Sequence, residues 1–252
     1  MRRAGPPDRP SQGRPLAPSV DSSLGLKLLP TVLSVIAGSA DVISFLGLGG
    51  LFVAHITGNL AILAAHLVTG SRVGVALLLS VPLFILVLGL TRLLAAGLEA
   101  IGLATLGPLL LLQFLLLAGF LALGVAAGPH VDPNAATAVL AGMLGVAAMA
   151  VQNALVQLSL RDAPATAVMT TNITRFTMDV GEVLLRRDRA DTAQARRRAA
   201  HTWPAILGFT AGAALGAACY AVGGLWSLAL PAGLALLALA ISLGSGPTLR
   251  TA

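Results

Sequence analysis

Six stretches of this chain, near residues 24–48, 73–97, 107–127, 136–160, 203–223 and 226–245, are predominantly apolar over about the 20 residues a helix needs to cross the hydrocarbon of a bilayer. That one feature excludes a water-soluble core. Only 10% of the 252 residues are charged and 56% are apolar, against about 25% charged in an ordinary soluble domain. The expected fold class is an all-α integral membrane protein with six transmembrane helices plus two short or broken helices, eight segments in two related halves.

The remaining chain divides accordingly. Residues 1–23, rich in Pro, Arg and Ser, are expected to be a disordered cytoplasmic tail, because nothing there repeats with a helical period. A first half-repeat spans 24–127, a connecting loop 128–135, a second half-repeat 136–246 carrying a basic loop at 186–201, and a C-terminal tail 247–252. The apolar run from Leu24 is too long and too late for a cleaved signal peptide, so the first span is expected to stay in the protein.

The net charge of +6 raises nucleic acid as a partner. Yet the arginines gather in the tail and at Arg186, Arg187, Arg189, Arg196, Arg197 and Arg198, with no aromatic residues between them. Short basic loops of membrane proteins stay in the cytoplasm. The expected localisation is the bacterial inner membrane, multi-pass, both termini cytoplasmic, with lipid headgroups rather than nucleic acid as the partner. The lone Cys219 cannot form an internal disulfide.

Landmarks recur in the same order in both halves. Asp41 precedes Thr57-Gly58-Asn59, and Gln152-Asn153 precedes Thr170-Thr171-Asn172. Each half then has a span expected to open on a proline, at Val81-Pro82 and Trp203-Pro204, where a missing N–H costs least. A final apolar helix closes each half. The less apolar pieces 52–69 and 165–185 decide the topology. If both cross, eight spans result and the halves run parallel; if neither crosses, six spans result and the halves are inverted, as in many transporters. Only Arg72 tells the two apart by charge, and six spans with two re-entrant helices is the expectation adopted.

The run Ala37-Gly38-Ser39-Ala40-Asp41, followed by Phe45 to Asn59 with its Gly49-Gly50 and Thr57-Gly58-Asn59, resembles the YoaK-type family of bacterial multi-pass membrane proteins, a domain of unknown function. Val151-Gln152-Asn153-Ala154 with Thr166 and Met169-Thr170-Thr171-Asn172 fits the second signature. Thr171 stands where the first triplet has Gly58. The resemblance implies several membrane helices and no established substrate.

Asp41 is the most informative residue, because an ionisable group inside a span costs roughly 2.5–3.5 kcal/mol unless it pairs or meets water. It reads either as a proton- or cation-coupling carboxylate or as a cap on the helix break at Gly47–Gly50. Ser34, Gly38 and Asp41 share one helical face suited to close packing. The two triplets are expected to cap short helices and to bring two positive helix ends toward each other. Candidate substrate-binding residues are therefore Asp41, His55, Thr57, Gly58, Asn59, Gln152, Asn153, Thr170, Thr171 and Asn172. A polar stripe of His66, Arg175, Asp179 and Glu182 lines an aqueous path or forms a packing seam, with Arg175 and Asp179 as an i, i+4 pair.

No nucleotide-binding, hydrolase or zinc-protease motif occurs, so an enzyme is not expected, nor a cofactor or a metal. The function expected is a small-solute secondary transporter or channel-like protein, with a solute or a proton as ligand. The alternative is a non-transporting scaffold or sensor with a basic docking loop.

Overall fold

The computed structural model describes residues 20–71, 73–128, 131–185 and 189–244. The expectations for the tail before residue 20, for Arg72, Arg186 and Arg187, and for the C-terminal tail lie outside them. All regular elements described are helical: α1 Val20–Gly47, α2 Ile56–Thr69, α3 Val75–Ala100, α4 Leu106–Ala126, α5 Ala136–Ser159, α6 Met169–Leu185, α7 Arg189–Gly223, a 3-10 turn Gly224–Leu228, and α8 Ala229–Gly244. Five stretches are long and apolar enough to cross a membrane, the last of which, Asp191–Gly244, runs through α7, the 3-10 turn and α8. Such a chain is consistent with a membrane protein.

Two helices form the centre. The apolar window of α5 is 72% buried and that of α1 67%, whereas α3 is only 17% buried and turns Ile85, Leu86, Leu90 and Leu93 outward. Apolar side chains facing outward along a helix of this length suit a lipid neighbour. α1 packs on α7 and α8, α5 on α3 and α4, α2 on α3, and α6 on α7.

Small residues set the closest approach. Gly208, Gly212 and Gly216 of α7 lie against Thr31, Val35 and Ser39 of α1, so the two helices run in the same direction. A Cβ at Gly216 would come within 2.9 Å of the Ser39 backbone. Without a solvent to drive apolar association, such backbone contact is a main source of helix adhesion in lipid. α4 and α5 run oppositely, with Thr105 Oγ1 2.9 Å from Ser159 Oγ at one end and Gly119 beside Leu144 further along. α1 and α5 are also opposed, since Leu33 meets Gln152 while Leu48 meets Gly142.

Two elements differ from the sequence expectation. The prolines do not open their helices: Pro82 lies inside α3 and Pro204 inside α7, which both begin earlier. Neighbouring helices keep such interior prolines tolerable in membrane spans. Residues 189–201 of the expected basic loop are the first turns of α7. Ala and Arg are good helix formers, and Arg198 ties this stretch to α6 through Asp179 and Glu182.

Candidate functional site

After α1 the chain turns at Gly49 and Gly50, whose φ of 67° and 84° glycine adopts without a Cβ penalty. It then runs back along α1. Ala54 N donates to Asp41 Oδ1 at 2.6 Å, and His55 N to Asp41 Oδ1 and Oδ2 at 3.2 and 3.1 Å. Asp41 lies six residues before the end of α1, so the loop has re-entered by about 9 Å of helix rise. α2 begins there and leads back to the end it came from. Gly49 lies beside Pro133, and Val75 N, at the start of α3, bonds Asn134 Oδ1 at 3.1 Å.

The carboxylate of Asp41, 3% exposed, is thus neither at a helix break nor free. It accepts charge-assisted bonds from the last two N–H groups before α2, at the positive end of that helix. An anion position at this helix end is filled by the protein itself.

The first triplet does not cap α2. His55 precedes the helix, with no side-chain cap bond. Asn59, fully buried, instead pairs with the loop: its Oδ1 accepts from Phe52 N at 2.9 Å and its Nδ2 donates to Phe52 O at 2.7 Å. The side chain mimics a strand neighbour for an extended residue that has no sheet. Gly58 gives room, since a Cβ there would lie 2.6 Å from the His55 ring and 3.0 Å from Phe52. Phe52 also stacks on Phe45 with ring centroids 4.7 Å apart. Thr57 and His55 are exposed.

The second loop, 160–168, dips back along α5. Gln152 lies seven residues before the end of α5, and its Nε2 donates to Thr166 Oγ1 at 3.0 Å and to Leu33 O at 2.9 Å. Asn172 Nδ2 reaches Ala165 O at 2.6 Å, spanning seven residues as Asn59 does to Phe52. Its Oδ1 is buried and meets no partner among the described residues. Thr170 and Thr171 are exposed.

Gln152 and Asn153 part company. Adjacent residues on a helix point about 100° apart, and Asn153 Nδ2 bonds only Met149 O of its own helix. Gln152 Oε1 accepts instead from Gln113 Nε2 of α4 at 2.7 Å. Sequence reading passed over Gln113. Its one signal was a lone carboxamide in the apolar run Leu109–Leu117.

The polar stripe separates as well. Arg175 is exposed and does not pair with Asp179. Asp179 and Glu182 both engage Arg198 of α7, at 2.7 and 2.8 Å. A long arginine from the facing helix outcompetes a neighbour on the same helix because its fork reaches both carboxylates. His66, half-buried on α2, keeps a buried Nδ1 without a partner among the described residues. His201 Nε2 lies 2.7 Å from Asp162 O, joining α7 to the second loop.

Asp41, His55 and Asn59 thus gather on the first loop, and Gln152, Thr166 and Asn172 on the second. No bond joins the two triplets among the described residues. Asp41 and Leu33, which mark the two loops on α1, are eight residues apart, about 12 Å of rise.

A family described as "Protein of unknown function (DUF1275)" matches residues 29–241. The match supports an uncharacterised family, as the resemblance implied, without the YoaK-type name. No curated protein and no solved structure matches the chain. With the match covering all the helices from the body of α1 into α8, the chain belongs to the DUF1275 family of proteins of unknown function.

Proposed function

We propose that this is a six-span membrane protein in which α1, α3, α4, α5, α7 and α8 cross and α2 and α6 are re-entrant, and that it carries a small solute as a secondary transporter or channel-like protein, without enzymatic chemistry. One observation carries the reading: two irregular loops enter the bundle from opposite ends, the first onto α1, where Ala54 meets Asp41, and the second onto α5, where Thr166 meets Gln152, which itself bonds Leu33 O of α1. Irregular backbone at membrane depth is tolerated where it is buried in protein or lines a wet cavity, and broken helices at the midplane are where transporters hold their ligands.

The halves 24–127 and 136–246 behave as inverted copies. Exchanging α1 with α5, α2 with α6, α3 with α7 and α4 with α8 maps α1 on α7 to α5 on α3, α1 on α8 to α5 on α4, and α2 on α3 to α6 on α7. Phe52 with Asn59 and Ala165 with Asn172 correspond under the same shift of 113 positions. In this topology the start of α1, the Arg196–Arg198 stretch and the end of α8 share one side, which the positive-inside rule makes cytoplasmic. Exposed Arg196 and Arg197 then face anionic headgroups.

The test is flux into proteoliposomes across a panel of small solutes, with Asp41→Asn beside the wild type. Solute uptake above protein-free vesicles supports the reading, and none for any solute sinks it. The engagement of Asp41 by two backbone N–H groups favours a second reading, a scaffold or sensor whose polar residues only hold loops in place. Folded, monodisperse protein with no flux in any vesicle is the result that reading requires. Orientation is checked separately: in a Cys219→Ser background, Thr192→Cys should resist an impermeant thiol reagent added outside intact cells.

A further inference from the structure

The second loop ends in a cluster of neutral polar groups with unused hydrogen-bonding capacity, and their orientation is not arbitrary. Gln152 Nε2 faces Leu33 O, a carbonyl that only accepts, so the amide of Gln152 has one permissible orientation. Its Oε1 therefore faces α4, and Gln113 must present Nε2 to it. The atom left over is Gln113 Oε1, which is buried and meets no donor among the described residues. Thr166 Oγ1 accepts from Gln152, which leaves its proton to give. Asn172 is fixed in the same way, because its Nδ2 faces Ala165 O, and its Oδ1 is the second buried acceptor without a partner among the described residues.

A cluster that served packing alone would close on itself, as the first loop does when Asn59 spends both amide atoms on Phe52. Here an acceptor, Gln113 Oε1, and the Thr166 hydroxyl proton remain, on groups of α4 and the second loop that Gln152 brings together. No member of the cluster carries a formal charge. The carboxylate nearest along α1, Asp41, is eight residues from Leu33 and already engaged. An ion would enter such a place without a counter-charge, at high cost inside a membrane, whereas an uncharged solute exchanges its water bonds for these.

We propose that Gln113 and Thr166, held together by Gln152, form the binding site for a small uncharged solute bearing O–H or N–H groups, of the polyol or primary-amide class. Gln113 Oε1 accepts from the solute, and the Thr166 hydroxyl donates to it. The assignment rests on the solute-carrying reading of this region and names its substrate class.

The experiment uses the full chain in lipid nanodiscs and ligand-observed saturation-transfer NMR, which detects weak binding, with glycerol and acetamide as probes and sodium line width as the ionic comparison. Saturation should reach glycerol or acetamide with the wild type and with Ser71→Ala. Gln113→Leu should weaken it about tenfold, as loss of one buried hydrogen bond implies. Thr166→Val, which keeps the side-chain shape and removes only the hydroxyl, should weaken it by a similar factor and guards against a folding defect in Gln113→Leu. Equal signals in wild type and both variants overturn the proposal. Sodium broadening that both variants abolish, with no transfer to either solute, also overturns it in favour of a cation. Swelling of proteoliposomes in the same solutes separates this site from the transport reading. Binding without swelling keeps the site and refutes carriage, whereas swelling insensitive to both variants, without saturation transfer, keeps carriage and refutes the site.

Discussion

The loops that follow α1 and α5 each turn back along the helix they leave, yet one is held by a charge and the other by neutral amides. In the first, Asp41 anchors two backbone N–H groups and Asn59 closes both atoms on Phe52. In the second, Gln152 reaches the Thr166 side chain, Asn172 bonds Ala165 O and makes a long contact of 3.9 Å to Met169 Sδ, and acceptors are left over among the described residues. A carboxylate buried against two backbone N–H donors, each bond charge-assisted, holds its loop firmly. A neutral network in the same fold leaves capacity for something that is not part of the chain. Rigidity thus falls to the loop after α1 and adaptable polarity to the loop after α5.

The largest effect is expected from breaking the charged loop. Asp41→Ala strands the N–H groups of Ala54 and His55 and should cost about 2–6 kcal/mol, at about 1–3 per unsatisfied group. Thermal unfolding in detergent should show this as a large loss or as failure to yield monodisperse protein. Asp41→Asn retains an acceptor oxygen and should fall between alanine and wild type. If alanine is as stable as wild type, the charge does not hold the loop.

Next come the two asparagines. Asn59→Ala removes two bonds to the backbone and Asn172→Ala one, with a weak contact to Met169 Sδ, so the first should destabilise by about 2 kcal/mol and the second by about 1. Equal losses, read as equal shifts of the unfolding midpoint, would erase the proposed difference between the loops.

Thr166→Val should cost less than about 1 kcal/mol in stability, because Gln152 keeps its bond to Leu33 O. A loss as large as that of Asp41→Ala would mean that the second loop is as tightly closed as the first.

The smallest effect belongs to Arg198, which lies at the rim with Asp179 and Glu182. Arg198→Ala should shift the midpoint slightly at low salt and hardly at all at about 1 M salt, where exposed charges are screened. A shift that persists at high salt would show that Asp179, only 9% exposed in its side chain, depends on the pair for its burial.

Sequence alone determined that the chain is helical and membrane-like, because apolar runs of bilayer length have few other stable outcomes. It also exposed Asp41, Asn59, Gln152 and Asn172, since a polar residue in an apolar run is visible without knowing its neighbours. What such a residue bonds to is not local. Asp41 meets N–H groups 13 and 14 positions on, Gln152 meets Leu33 at 119 positions and Gln113 at 39, and Arg198 meets Asp179 at 19. The expectation built on neighbours along one helix therefore failed at Arg175, whose helix-mate Asp179 found its partner on α7. The tertiary structure decided that the first triplet pins a loop instead of capping a helix, and that Gln113 belongs to the cluster. A carboxamide is satisfied by whichever donor or acceptor the packed helices bring within about 3 Å, and that choice is made only when they pack.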